Sequence, residues 1–205
     1  MSRTTDTEHR KVQIIEAAMD VLNDQGFCTL KIRDVARRAG VSAGLICHHF
    51  DTKHGLLLAV IRHAVTAYGK QSELIAAQDT PPRDKVLDLV RMALAPEQSN
   101  KRLSAVWLTL YCLAGSDADC HAELIRYQRK NLEVILSAIS PLFDVDQATH
   151  IAHLIVALID GVWLQHATRA QPVDLGAAQD LIASLTEHAL SAHHLDGSSL
   201  TTEDQ

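Results

Sequence analysis

Apolar residues recur at helical spacing along most of the chain, and alternating strand patterns are absent. The pattern predicts an all-α fold of about nine helices, three in an N-terminal head and six in a C-terminal body. The head begins with a helix near residues 7–25. The body helices are expected to begin near residues 52, 82, 100, 117, 145 and 174, and Thr52 is expected to cap the first of them. Residues 1–6 and the segment from His193 onward are polar, so we expect both to be loose.

Two short helices joined by a glycine turn are predicted between residues 29 and 50. Thr29 is expected to cap the first helix, Gly40 to end it in the left-handed conformation, and Ser42 to cap the second. Helix, glycine turn and capped helix form the layout of a DNA-binding helix-turn-helix, although an ordinary helical corner has the same elements. The second helix is expected to turn the side chains of three residues inward, Leu45, Ile46 and Phe50.

Three kinds of DNA contact are predicted for this stretch. Small residues at the start of the second helix allow close approach to the major groove: Ser42, Ala43 and Gly44. Apolar contacts with thymine methyl groups are expected from Leu45 and Cys47, and bonds to phosphates or base edges from His48 and His49. Phosphate contacts, which position a protein without specifying sequence, are expected from Thr29, Lys31, Arg33 and Lys53. Arg37 and Arg38 fit phosphate contacts and a solvated helix face equally well.

The net charge of −6 argues at first against a nucleic-acid partner. It is unevenly distributed, because residues 1–55 carry about +1 and the remaining 150 residues about −7. Since the local field at the contact decides, a head with clustered arginines on an acidic body can still bind phosphate. The four cysteines show no CxxC pair and no leader segment is evident, so we expect reduced thiols in a cytoplasmic protein. The longest apolar run, residues 151–164, is shorter than a membrane span and contains His153 and Asp160.

The head resembles the DNA-binding domain of the TetR family of bacterial repressors. The motif runs through Ile32, Val35, Ala36, Ala39-Gly40-Val41-Ser42, Gly44, Phe50 and Lys53, with Leu56-Leu57 behind it. A closer resemblance, to the BetI-type choline-responsive repressors of glycine betaine synthesis, covers residues 40–50 and 53–57, Val106-Trp107-Leu108 and residues 157–164. It implies a homodimeric transcriptional repressor with a DNA-binding domain at residues 1–51, an effector and dimerisation domain at 52–192, and a tail at 193–205. It also implies a pseudo-palindromic operator and neither enzymatic activity nor a cofactor.

Two positions of the second helix of the motif, which is expected to enter the major groove, depart from the family pattern. Cys47 stands where family members usually carry Asn or Tyr, and His49 stands where they usually carry Tyr. The missing tyrosine hydroxyls commonly bond phosphates in the family, so the departure concerns operator preference rather than the fold.

A cation-binding box is predicted in the body. Trp107 and Tyr111 share one helix face, and Asp160 and Trp163 share another. Ring faces attract a quaternary ammonium group and a carboxylate supplies its counter-charge, so choline or a related compound is the expected effector, with Tyr127 as a third wall. Plain core packing is the alternative for these aromatic residues.

Three other interpretations compete with this one. A helical enzyme or metal protein would use histidine pairs such as His150 and His153, but no ligand motif completes a site, so no metal is expected. A thiol redox sensor of the same fold would use Cys112 and Cys120. A TetR-family repressor that senses a different drug or metabolite is the main alternative, since effector pockets vary widely on one fold.

Overall fold

Nine α-helices and no strand are present in the part of the chain that the computed structural model describes, residues 3–169, 171 and 173–192. The helices are α1 (Arg3–Gln25), α2 (Ile32–Ala39), α3 (Ala43–Phe50), α4 (Lys53–Ala76), α5 (Pro82–Ala93), α6 (Lys101–Ala114), α7 (Ala118–Ile139), α8 (Val145–Thr168) and α9 (Leu175–Ala192). The all-α prediction and the order of the helices are therefore confirmed.

The start of the first helix differs from the prediction. α1 begins at Arg3, four residues before the predicted start, so the expectation of a loose segment was wrong for residues 3–6. These residues are polar and carry no apolar periodicity, which is why the pattern alone did not extend the helix to them. The predicted loose tail from His193 lies outside the described residues.

Packing divides the chain into two compact units. The first unit contains residues 1–68 and 100–128, and the second contains residues 69–99 and 129–205. The first unit therefore includes α1 to α3, α4 as far as Tyr68, α6, and α7 as far as Gln128. The division of the chain into DNA-binding and effector domains at residue 51 stays a prediction about function.

Within the first unit, α1 packs against both α2 and α6. The α6 residue Arg102 donates hydrogen bonds to the backbone carbonyl and the carboxylate of Glu16, and its Nε lies 2.7 Å from Asp20. Gln13 of α1 donates a 2.8 Å hydrogen bond to the carbonyl of Ala39, the last residue of α2. α1 thus connects α6 to the first helix of the glycine-turn segment.

Within the second unit, α9 packs against α5 and α8. Gln179 of α9 donates a 2.8 Å hydrogen bond to the carbonyl of Arg91 in α5. Among the described residues, α8 alone is long and apolar enough to cross a membrane by length and composition, with a mean hydropathy of 1.3 over its most apolar window. One such helix is weak evidence for a span, because core helices of water-soluble proteins have the same properties.

Candidate DNA-reading head and effector site

The glycine turn between α2 and α3 has the predicted geometry. Gly40 adopts φ = 65° and ψ = 34°, in the left-handed region, and the Val41 amide donates to the carbonyl of Ala36 at 3.0 Å. Ser42 caps α3, since its hydroxyl accepts a 3.1 Å hydrogen bond from the Leu45 amide. The predictions for Gly40 and Ser42 are therefore confirmed. We call α2, α3 and the turn between them the reading head.

The predicted capping role of Thr29 is wrong. α2 begins at Ile32 and its N-cap is Lys31, whose side chain makes no capping hydrogen bond. The hydroxyl of Thr29 instead donates to the carbonyl of Gln25, at the end of α1. Thr29 lies too far before the first turn of α2 to reach its amides, because a capping side chain must sit directly before the helix. Its side chain is exposed, and a phosphate contact from Thr29 stays a prediction.

The predicted base-reading surface of α3 is largely open to solvent. Ile46 and Phe50 are 0% and 9% exposed and anchor the helix, while Leu45 is only half-buried. The exposed residues are Ser42, Ala43, Gly44, Cys47 and His48. His49 is half-buried, and its ring makes a T-shaped contact with the Phe50 ring at a centroid distance of 6.1 Å. α3 therefore presents small and polar side chains around an apolar anchor.

The basic residues in and next to the reading head fall into two groups, those with an ion pair inside the chain and those without one. Lys31 and Arg33 are exposed, and neither has an ion pair among residues 3–169, 171 and 173–192. Arg38 lies 2.6 Å from Asp24 and 3.4 Å from Asp20 of α1, and the hydrogen bond that it donates to Asp24 is the main reason that the pKa of Arg38 is raised. These ion pairs favour a role for Arg38 in holding α2 to α1.

Arg37 and Lys53 also have partners within the chain. Arg37 is highly exposed and lies 3.2 Å from Asp34 of its own helix. The ammonium group of Lys53 donates a 3.3 Å hydrogen bond to the carbonyl of Phe27, between α1 and α2. This contact gives the lysine a local structural role at the unfavourable end of α4, and its exposed side chain keeps the phosphate contact as a prediction.

The connection from α3 to α4 is tight enough to require a glycine. Thr52 caps α4 as predicted, since its hydroxyl accepts a 2.9 Å hydrogen bond from the Gly55 amide. A β-carbon on Gly55 would lie 2.1 Å from the carbonyl oxygen of Phe50. Asp51, between the two helices, has a positive φ of 59°, which is uncommon for a residue with a side chain. The end of the reading head is thus locked against the start of α4.

Three aromatic rings meet in the first unit, one from each of α4, α6 and α7. The Trp107 and Tyr127 ring centroids are 4.6 Å apart, those of Tyr68 and Tyr127 are 5.3 Å apart, and those of Tyr68 and Trp107 are 6.0 Å apart. Between 6% and 8% of each residue is exposed. We call these three residues the aromatic cluster. Sequence patterns predicted Trp107 and Tyr127 as site residues but did not include Tyr68.

A buried carboxylate supports the same group of helices. Glu123 lies one helical turn before Tyr127 and accepts hydrogen bonds from Arg62 of α4 at 2.7 Å and from Arg126 at 2.6 Å. Burial by itself would raise the pKa of Glu123, but the hydrogen bonds from Arg62 and Arg126 outweigh it and hold the pKa below its usual range. Because two guanidinium groups already neutralise this carboxylate, it is a poor counter-charge for a bound cation. The spacing of apolar residues along the chain could not predict the contact between Arg62 and Glu123, because the two residues are 61 positions apart.

The other predicted effector residues occupy two different units. Tyr111 is half-buried on α6 of the first unit. Asp160 is half-buried and Trp163 is 8% exposed, and both lie on α8 of the second unit. Their membership of one box stays a prediction. A β-carbon on Gly161 would have no atom within 4 Å, so the close approach of another helix, one explanation for this glycine, is absent from the described residues.

The cysteines differ sharply in environment. Cys28, Cys47 and Cys112 are exposed, Cys120 is 1% exposed, and all four are free thiols. Burial, with a smaller contribution from Asp117, raises the pKa of Cys120 to about 12. A thiol that stays protonated at neutral pH is a poor nucleophile, which disfavours Cys120 as a redox sensor.

Comparisons with known proteins agree with this arrangement. Residues 14–60 match the TetR family of bacterial regulatory proteins, and residues 82–191 match the C-terminal domain of the BetI-type transcriptional repressor. The chain is 29% identical over 173 residues to the HTH-type transcriptional regulator BetI of Agrobacterium fabrum, covering 84% of each protein. It is also 29% identical over 184 residues to BetI of Rhizobium meliloti, covering 90% of this chain and 89% of the relative.

Solved structures show the same fold. A TetR transcription regulator from Haloarcula marismortui superposes with a TM-score of 0.78 at 19% identity, covering 88% of this chain and 97% of the other. A transcriptional regulator from Saccharomonospora viridis, solved in complex with choline, superposes with a TM-score of 0.75 at 20% identity and the same coverage. Because the C-terminal match alone spans more than half of the sequence, the chain belongs to the TetR family of transcriptional regulators, with a C-terminal domain of the BetI-type repressor.

Proposed function

We propose that this repressor responds to choline or a closely related quaternary ammonium compound, and that it controls genes for making the osmoprotectant glycine betaine from choline. The observation that carries the proposal is the aromatic cluster of Tyr68, Trp107 and Tyr127. Buried ring faces attract a cation that has no hydrogen-bond donor to satisfy. The names of the BetI relatives and the choline complex of the Saccharomonospora viridis regulator support the same ligand class.

The packing of the cluster also suggests how the effector would act. A centroid separation of 4.6 Å between Trp107 and Tyr127 leaves no space for a trimethylammonium group between their faces. A cation that binds within the cluster therefore has to part the rings, and Tyr68 belongs to α4, the helix that begins at the reading head. Tyr68 follows Lys53 by fifteen residues of α4, so about 22 Å of helix connects the aromatic cluster to the end of the reading head. Effector binding would thus favour a different position of the reading head and weaken operator binding.

Calorimetric titration of the wild-type protein with choline, betaine aldehyde and glycine betaine tests the effector class. The decisive control ligand is 3,3-dimethylbutan-1-ol, which has the shape of choline without its charge. We expect choline to bind at least about tenfold more tightly than this alcohol, since cation–π attraction at a desolvated site is worth about 2 kcal/mol or more. Equal binding of the two compounds would favour an apolar effector, and absence of binding by all three quaternary ammonium compounds would contradict the proposal.

Variants of the aromatic cluster test where the cation binds. Trp107→Ala and Tyr127→Leu remove a ring and should abolish choline binding, whereas Tyr127→Phe keeps the ring and should retain it. Circular dichroism spectra and thermal melting exclude variants that fail to fold. Asp160→Asn and Trp163→Ala test the sequence-based prediction for α8 separately. Unchanged choline affinity in Trp107→Ala would show that the aromatic cluster is ordinary core.

A homodimer is the second part of the proposal. Leu154 and Leu164 of α8 are 56% and 48% exposed, and Leu181 and Leu185 of α9 are 61% and 48% exposed. Exposed leucines on two adjacent helices are apolar surface that a second copy would cover. Light scattering after gel filtration should show a dimer for wild type and a monomer for Leu181→Glu/Leu185→Glu. Leu74→Glu, at an exposed leucine of α4, should remain dimeric.

The predicted DNA contacts fit such a dimer. Two reading heads would enter successive major grooves of a pseudo-palindromic operator, about 34 Å apart. A transcriptional regulator of this kind works in the cytoplasm, where the DNA is. Selection from a library of random DNA duplexes should yield a two-fold symmetric site, and an asymmetric single half-site would contradict the dimeric arrangement.

A further inference from the structure

Three side chains with different donor atoms converge at the start of α4 and the start of α7. His54 is the second residue of α4, Asp117 caps α7 through a 2.9 Å hydrogen bond from the Cys120 amide, and Cys120 lies in the first turn of α7. His54 Nε2 lies 2.8 Å from the second carboxylate oxygen of Asp117. An imidazole nitrogen, a carboxylate oxygen and the thiol sulfur all lie within 4.8 Å of one another. We call these residues the His-Asp-Cys triad.

The geometry needs only small movements to hold a metal ion. Ligand atoms at about 2.0–2.3 Å from a tetrahedral zinc ion lie about 3.3–3.8 Å apart. The widest separation in the triad therefore has to close by about 1–1.5 Å, and the hydrogen-bonded pair has to open by less than about 1 Å. The imidazole of His54 is 44% exposed and the carboxylate of Asp117 is 25% exposed, so an ion can enter from solvent. The sulfur of Cys120 closes the buried side.

The donor set selects a class of ion. Nitrogen, oxygen and sulfur together suit borderline divalent transition metals, whereas magnesium and calcium prefer oxygen ligands alone. We propose that His54, Asp117 and Cys120 form a binding site for a zinc-like divalent metal ion, with water in the fourth position. Binding would replace the Cys120 thiol proton with the metal and release that proton to solvent, because the charge of a coordinated divalent ion deprotonates a thiol that stays protonated without the metal. In the alternative, purely structural arrangement, His54 and Asp117 form a surface ion pair beside a buried cysteine.

Such a site would give the repressor an input separate from the aromatic cluster. His54 follows the Thr52 cap by two residues, next to the reading head, and Asp117 begins the helix that carries Tyr127. A metal bound by the triad would cross-link the first turns of α4 and α7 within the first unit. This proposal does not depend on the identity of the organic effector, since no residue of the aromatic cluster takes part in it.

Cobalt and zinc titrations of the chelator-treated, full-length protein test the proposal. Wild type should bind one ion per chain, and cobalt should give an intense visible band together with thiolate-to-cobalt charge-transfer absorption. His54→Gln and Cys120→Ser should each weaken zinc binding at least about tenfold, since even outer-shell partners of metal ligands cost this much. Cys112→Ser and His121→Gln, at exposed positions on α6 and α7, are the matched controls and should bind like wild type.

Two further measurements separate the site from adventitious binding. Zinc should raise the midpoint of thermal unfolding of wild type but not of His54→Gln, a variant at an exposed side chain that is expected to fold. If Cys120→Ser fails to fold by circular dichroism, His54→Gln and Asp117→Asn decide the question. A lack of thiolate charge transfer, or unchanged zinc affinity in His54→Gln, would overturn the proposal.

Discussion

The reading head and the aromatic cluster lie in the same compact unit but are specified over very different distances in the chain. The turn from α2 to α3 depends on Gly40, Ser42 and their immediate neighbours, so each determinant acts within about four residues. The aromatic cluster joins Tyr68, Trp107 and Tyr127, which come from three helices. Local geometry therefore fixes the shape of the candidate DNA-reading surface, and packing between helices fixes the candidate sensor.

The two regions meet at α4, and the junction is expected to be the most sensitive point. Gly55→Ala places a methyl group against the Phe50 carbonyl, where the separation would be 2.1 Å, so α3 and α4 have to move apart. We expect a loss of about 3 kcal/mol or more in the free energy of unfolding. Urea denaturation followed by circular dichroism measures it.

The matched control lies in the same helix. A β-carbon on Gly69 meets no atom within 4 Å, so Gly69→Ala should stabilise the protein by up to about 1 kcal/mol through helix propensity. Equal effects of the two substitutions would show that the close approach at Gly55 is not a real constraint.

Removing the charge of Glu123 tests the support of the aromatic cluster. Glu123→Gln loses charged hydrogen bonds to Arg62 and Arg126, and we expect a loss of about 2 kcal/mol at neutral pH. Because the folded-state pKa of Glu123 is lowered, its contribution is complete above the unfolded-state pKa of about 4.3. The contribution is lost as the pH falls through the folded-state value, so the difference between wild type and variant should shrink in acid.

Urea denaturation of both proteins at several pH values measures this dependence. Glu133→Gln is the control, because Glu133 is exposed and only a 3.8 Å contact joins it to Arg129. It should change the stability by less than about 0.5 kcal/mol. A difference for Glu123→Gln that grows in acid would reverse the sign and contradict the assignment.

The caps of the reading head offer a sharper test of local control. Ser42→Ala removes the side-chain acceptor of the Leu45 amide and should cost about 1 kcal/mol. Thr29→Ala removes a hydroxyl that does not cap α2, so it should cost less than Ser42→Ala. Thermal and urea denaturation of both variants rank the two residues, and a larger loss for Thr29→Ala would restore the sequence-based prediction.

Lys53 is expected to give the smallest effect and to act on DNA binding rather than on folding. Lys53→Ala should weaken binding to a selected operator and lower the slope of log affinity against log salt concentration by about one. Fluorescence anisotropy at several salt concentrations measures this slope. Lys70→Ala, at an exposed position of α4 outside the reading head, should leave the slope unchanged. An unchanged slope for Lys53→Ala would show that Lys53 makes no phosphate contact and only donates to the carbonyl of Phe27.

The sequence-based predictions were wrong or incomplete where the hydrogen-bond or ion-pair partner of a side chain could not be identified from the sequence. Thr29 and Lys31 both precede α2, and the propensity of threonine for capping favoured the wrong residue. Lys53 looked misplaced at a helix start until the structure provided the carbonyl of Phe27 as its acceptor. Arg38 was compatible with DNA or solvent, and its ion pairs with Asp20 and Asp24 could not be foreseen because they join separate helices.

The sequence by itself determined the all-α class, the order of the helices, the glycine turn and the caps at Ser42 and Thr52. These features depend on periodicity and on hydrogen bonds between residues within one or two turns, which the order of residues contains directly. Only the tertiary structure decided that Tyr68 joins Trp107 and Tyr127, that Glu123 is held by Arg62, and that His54 meets Asp117 and Cys120. Each of these groups joins residues from different helices, and their proximity follows from how the helices pack, which no local spacing encodes.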